Sequence, residues 1–130
     1  MRCRSMRILI NKQVENDLLL CKKKGWYRGI EDELSRLYRL LKTDLSLPGQ
    51  AFVKHLGQEW GGKIQHARIA LPKENCGGQN GGRIAYVILD DRCLILYIGG
   101  HKDRRYDNPH TLARMLVERT NDDTYLEWIG

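Results

Sequence analysis

Residues 83–98 read Arg83-Ile-Ala-Tyr-Val-Ile-Leu-Asp-Asp-Arg-Cys-Leu-Ile-Leu-Tyr-Ile98, and this stretch decides the fold. Two apolar runs rich in β-branched and aromatic residues, Arg83–Leu89 and Cys93–Ile98, flank the acidic turn Asp90-Asp91. That pattern predicts a β-hairpin. Within the first run Ile84, Tyr86 and Ile88 take one face, so Arg83 is expected to look out across the other, open face. Upstream, Ile64 to Leu71 alternates as a further strand. Ala67, Ile69 and Leu71 point one way, and His66, Arg68 and Ala70 the other. Between these strands lies Lys73-Glu-Asn-Cys-Gly-Gly-Gln-Asn-Gly-Gly82, a glycine-rich connector. It has neither the Lys-Ser/Thr of a Walker loop nor a dinucleotide fingerprint.

Further out the period changes. Arg7–Ile10 is a short apolar run that predicts a first strand. From Asn11 to Lys24 the spacing of Val14, Leu18 and Cys21 fits one helical face. Lys22, Lys23 and Lys24 complement the helix dipole in its last turn, and Gly25 terminates it. Ile30, Leu34, Leu37, Tyr38 and Leu41 define a second amphipathic helix behind an acidic first turn, Glu31 to Glu33. Pro48-Gly49 marks a turn. After the last strand, Gly99 to Tyr106 reads as a charged exit. Asn108-Pro109 then caps a helix whose apolar face is Leu112, Met115 and Leu116. The expected architecture is therefore a small α+β domain in β-αα-βββ-α order, a helical hairpin packed on an antiparallel sheet. One domain spans 1–130, with Met1–Ser5 as a disordered lead-in and 121–130 as a C-terminal tail.

Composition narrows the function classes. The chain has 130 residues, 42% hydrophobic and 29% charged, with a net charge of +6. Residues 1–106 carry 20 bases and 11 acids, whereas 107–130 carry 2 and 5. A body of +9 beside a tail of −3 predicts polyanion partners, and suggests that the tail masks part of the basic surface. No apolar run approaches the roughly 20 residues of a membrane helix, and the start does not read as a signal peptide. The cytoplasm is the expected compartment. Four cysteines and four histidines lack metal-ligand spacing, so reduced thiols and no metal or cofactor are expected. A nucleophile elbow and a paired-carboxylate pattern are absent as well. What remains is cationic: His66, Arg68, Arg83, His101, Lys102 and Arg104, with Tyr106, converge if the strands are neighbours. Such a cluster suits phosphate clamping and base stacking.

Three segments carry a resemblance. They are Leu56-Gly57 with Lys63-Ile-Gln-His-Ala-Arg-Ile-Ala-Leu71, then Gly81-Gly82-Arg83-Ile-Ala-Tyr-Val-Ile, and Ile98-Gly-Gly-His-Lys-Asp-Arg-Arg-Tyr106. Together they resemble the RelE/ParE superfamily of bacterial type II toxins over roughly residues 6–119, and the connector resembles the HigB-like branch. The resemblance implies a ribosome-dependent, metal-free mRNA interferase, an endoribonuclease held silent by an antitoxin protein. It implies His66, Arg68, Arg83, Lys102 and Tyr106 as catalytic residues, with His66 standing where the family usually has Lys or Arg. His101 and Arg104 would be acid or phosphate contacts. Lys63, Lys73 and Lys22–Lys24 would contact RNA. Two other classes stay open, a ParE-like gyrase inhibitor without nuclease activity and a degenerate member that only binds protein.

Overall fold

In the computed structural model, residues 6–43, 54–56, 64–69, 82–89, 91–122 and 124–129 are described. The order is β1 (Arg7–Asn11), α1 (Gln13–Lys24), α2 (Ile30–Thr43), β2 (Lys54–Leu56), β3 (Ile64–Ile69), β4 (Gly82–Ile88), β5 (Arg92–Gly99), α3 (Arg104–Asp107), α4 (Pro109–Asn121) and β6 (Tyr125–Glu127). Met1–Ser5, Pro48-Gly49, Lys63, Lys73 and the connector up to Gly81 lie outside the described residues.

The expected α+β class holds, with one correction to the sheet. It is mixed rather than antiparallel, in the order β2-β3-β4-β5-β1-β6, because β1 runs parallel to β5. The remaining neighbours are antiparallel. The reason lies in burial. From Cys93 to Gly99 every residue of β5 is buried, which requires helices on both faces of the sheet. On one face α1 and α2 supply Val14, Cys21, Ile30, Leu34 and Leu41 against Ile8, Ile84, Tyr86, Ile95 and Ile98. On the other face α3 and α4 supply Tyr106, Leu112 and Leu116 against Ala85, Val87, Leu94, Leu96 and Tyr97. The face expected to be open is therefore covered.

Local chemistry sets the helix ends. Gly25 closes α1 at φ 70°, with the Trp26 N–H on the Cys21 carbonyl at 2.8 Å. Asn108 accepts from the backbone N–H groups of His110 and Thr111, both at 3.1 Å, as its place before Pro109 predicted. The tail expected to mask the basic body instead becomes β6. It pairs with β1 at the edge far from β3, and its Trp128 meets Tyr38 edge-on at 5.7 Å. Among the described residues no helix is long and apolar enough to cross a membrane.

Candidate active site

A bulge in β5 organises the region. Ala85 pairs with Tyr97 and Tyr86 with Ile95, leaving Leu96 as an extra residue. Leu96 and Tyr97 consequently both join the core beneath α3 and α4, whereas Ile95 and Ile98 face α1 and α2. The β1 ladder stops at Ile95, so β5 beyond it needs other partners. Asp17 from α1 accepts the Ile98 N–H at 3.3 Å, and Arg119 from α4 donates to the Leu96 carbonyl at 2.9 Å.

Tyr97 then points into a polar cluster. Its hydroxyl donates to Asp103 at 3.0 Å and accepts the Gly100 N–H at 3.2 Å. Asp103 also caps α3 by accepting the Arg105 N–H at 2.9 Å. The Arg105 guanidinium grips the same carboxylate at 2.8 Å and reaches Asp17 at 3.2 Å. Burial alone would raise the Asp103 carboxyl. The hydrogen bonds and charge of Arg105, with the Tyr97 hydroxyl, outweigh it and hold the group below its ordinary value. The Tyr97 phenol is driven up by burial and then by the Asp103 charge, so it stays protonated.

Against this cluster the structure assembles His66, Tyr106 and His101. The Tyr106 ring stacks on Tyr97, with centroids 5.6 Å apart and 11° between planes. The Tyr106 hydroxyl is hydrogen-bonded to His66 Nδ1. His101 meets the Tyr106 ring edge-on at 5.1 Å, and its Nδ1 pairs with Asp107 at 2.9 Å. His66 and Tyr106 are only 9% and 5% exposed. In the protein alone the Tyr106 ring is thus stacked on Tyr97 and not open to a base. The exposed ring of the group is His101.

The expected cations divide. Arg68 stands opposite Arg83 in the β3–β4 ladder, two residues along β3 from His66. Arg83 is not on an open face but is 4% exposed, its guanidinium donating to the Gly82 carbonyl at 3.1 Å. Further along β4 on the same side, Tyr106 of α3 and Leu112 and Leu116 of α4 pack with Ala85 and Val87. Lys102 hangs its ammonium 5.4 Å over the Tyr27 ring, while its backbone N–H donates to the Tyr27 hydroxyl at 2.9 Å. Burial raises the Tyr27 phenol, an effect offset in part by the Lys102 N–H and the Arg83 charge. Arg83 and Lys102 thus act on one phenol. Arg104 is exposed at the start of α3, and Lys22, Lys23 and Lys24 are exposed at the end of α1, in the layer across the sheet from His66.

Sequence reasoning missed Tyr97, Asp103, Arg105, Asp17 and Tyr27. Asp103 did carry a signal, since an Asp directly before a helical turn is a favoured cap. Among the described residues no group of three or more His, Cys, Asp or Glu is placed to hold a metal ion. Burial pushes the Cys21 thiol up to about 11 and the Cys93 thiol to about 12, which leaves both as inert protonated thiols. The chain matches no protein-family model, no curated protein and no solved structure.

Proposed function

We propose that this protein is the toxin of a type II toxin–antitoxin pair, a ribosome-dependent endoribonuclease of the RelE/HigB kind that cleaves mRNA without a metal. The observation that carries the reading is the placement of Arg68 opposite Arg83, two residues along β3 from the His66–Tyr106 hydrogen bond. Directly opposite positions of a ladder share a face, where an Arg at each would suit a phosphate. The proposed cleavage at a ribose phosphate would use an imidazole and two Arg positions on one face of the sheet.

In the proposed step the ribose 2′-oxygen attacks the adjacent phosphorus while its proton passes to His66. The P–O5′ bond breaks, and O5′ takes a proton from His101 or Lys102. The products are a 2′,3′-cyclic phosphate and a 5′-hydroxyl end. No co-reactant enters, so base, acid and cations together suffice. For His66 to act as base, its Nδ1–H would donate to the Tyr106 oxygen and leave Nε2 for proton exchange with substrate. Asp107 pairs with Nδ1 of His101 in the same way. Arg83 and Arg68 would meet the non-bridging oxygens, where charge grows as the 2′-oxygen attacks. His66 and Arg83 are buried in the protein alone, so RNA entry would require local opening around them. A cognate antitoxin is the proposed protein partner, and the cytoplasm the proposed compartment.

The test adds purified protein to a translation extract charged with a defined message. Ribosome-dependent cuts that leave 5′-hydroxyl ends are expected. Intact message together with loss of supercoiling by gyrase would reassign the chain to the ParE-like class. Intact message and unaffected gyrase would leave a protein-binding member.

A further inference from the structure

The polar cluster around Tyr97 has more hydrogen bonding than packing alone requires. Asp103 uses its two carboxylate oxygens for separate tasks. Oδ1 accepts the Arg105 N–H and so starts α3, the helix that carries Tyr106. Oδ2 accepts the hydroxyl of Tyr97, whose ring supports Tyr106 from the sheet side. The same carboxylate thus sets the helix that presents Tyr106 and the ring on which Tyr106 rests.

We propose that Asp103 is a positioning residue for the His66–Tyr106 pair, acting through Tyr97. The inference rests on the reading of that pair as the centre of an RNA-cleaving site, and it names a group that would not touch the substrate. The linkage is continuous. Asp103 holds the Tyr97 hydroxyl, Tyr97 lies parallel to Tyr106, and the Tyr106 hydroxyl meets His66 Nδ1. Behind Asp103 the anchor is equally firm. Arg105 bridges it to Asp17, and Asp17 takes Arg119 at 2.6 Å and 3.0 Å. Tyr97 is fully buried, so its ring has no alternative space once its hydroxyl is fixed. A hydrogen bond on Nδ1 selects the tautomer of the imidazole, and with it the nitrogen that exchanges a proton. A catalytic group held by a packed and hydrogen-bonded surround keeps the geometry that its chemistry needs.

Two variants separate this role from simple scaffolding. Tyr97→Phe keeps the ring and deletes only the hydroxyl. Asp103→Asn keeps an oxygen that can cap α3, since Asn and Asp are comparable caps, but removes the charge that grips Tyr97 and Arg105. The first readout is the His66 imidazole, followed by nitrogen-15 NMR across a pH titration of the purified protein. Both variants are expected to change its tautomer signature and its titration midpoint. The second readout is cleavage of ribosome-bound message. There kcat should fall by up to about 10²-fold with KM unchanged, and the pH profile should move with the imidazole midpoint. If Asp103→Asn does not fold, Tyr97→Phe decides alone. An unaltered His66 titration in folded Tyr97→Phe protein would overturn the proposal. If the parent protein cuts no message, the enzymatic reading fails, and the imidazole signal still decides whether Asp103 positions His66.

Discussion

Asp17 on α1 and Arg119 on α4, 102 residues apart in the chain, form a two-pronged ion pair at 2.6 Å and 3.0 Å. The Asp17 side chain is fully enclosed. The pair also satisfies the backbone of β5 where the β1 ladder has ended, through Ile98 N–H and Leu96 C=O. Removing Asp17 leaves the buried Arg119 charge without its carboxylate, with the Leu96 carbonyl and the Tyr97 ring still against it. Asp17→Ala should therefore cost about 3–5 kcal/mol, read as a shift in the urea midpoint. A double variant, Asp17→Leu with Arg119→Met, should recover only part of that loss. It removes the stranded charge but still abandons two backbone groups of β5. Full recovery would mean that the backbone bonds contribute nothing.

This pair also marks the limit of what the sequence could disclose. The spacing Ile30, Leu34, Leu37, Tyr38, Leu41 predicted a buried helical face; four are buried and Leu37 packs half-buried against the same core. The Asn108-Pro109 cap was equally readable, because its chemistry is local. Asp17, in contrast, reads as one polar residue in a polar helix until Arg119 arrives from the other end of the chain. The parallel β1–β5 pairing is non-local in the same way. α3 and β6, at four and three residues, are too short for any periodicity to appear. At the site, alternation put His66, Arg68 and Arg83 on one side of the sheet. It could not foresee the β5 bulge, which turns Tyr97 onto that side, nor the helix that covers it.

Arg83 is the residue on which the enzymatic reading depends most. Losing one charge-assisted contact to a developing oxyanion costs about 2.7–4 kcal/mol of barrier, or roughly two to three decades in rate. Arg83→Ala should abolish ribosome-dependent cleavage and growth inhibition. Because Arg83 is buried rather than exposed, the variant should also melt lower than the parent. Arg83→Lys should restore activity only in part, since an ammonium lacks the guanidinium fork. A folded Arg83→Ala protein cutting at the parental rate would remove Arg83 from the site.

Asp103 predicts the shape of the acid limb of stability. Burial opposes its ionisation, yet Arg105 and Tyr97 hold its carboxyl below the ordinary value. The folded protein therefore binds this proton more weakly than the unfolded chain. The group's contribution is complete above the unfolded carboxylate pKa of about 3.9 and drains away as pH falls through the lower folded value. The advantage of the parent over Asp103→Asn in urea should be constant near neutrality and shrink below about pH 4. Arg105 pairs with this carboxylate, Asp17 with Arg105 and Arg119 with Asp17; all three are common to both proteins, so the difference reports on Asp103. An advantage that persists unchanged at the lowest pH tested would contradict the depressed carboxyl.

Two glycines give the sharpest contrast between backbone and packing effects. A Cβ placed at Gly99 would lie 2.0 Å from the Tyr97 hydroxyl oxygen and 2.5 Å from its Cζ. Both distances are far inside contact, and Tyr97 is fully buried with its hydroxyl on Asp103. Gly99→Ala must therefore displace Tyr97, at the roughly 1–3 kcal/mol typical of overpacking. The displaced ring can no longer support Tyr106. At Gly25 an added Cβ meets nothing within 4 Å, and the only penalty is the left-handed backbone at φ +70°. Gly25→Ala should cost about 1–2 kcal/mol from that conformation alone. The two variants are thus expected to lose similar stability and to differ at the site. Gly99→Ala should perturb the imidazole signal of His66 and depress cleavage, whereas Gly25→Ala should keep the parental signal and rate. Equal effects of both variants on His66 would show that the site follows global stability rather than the Tyr97–Tyr106 stack.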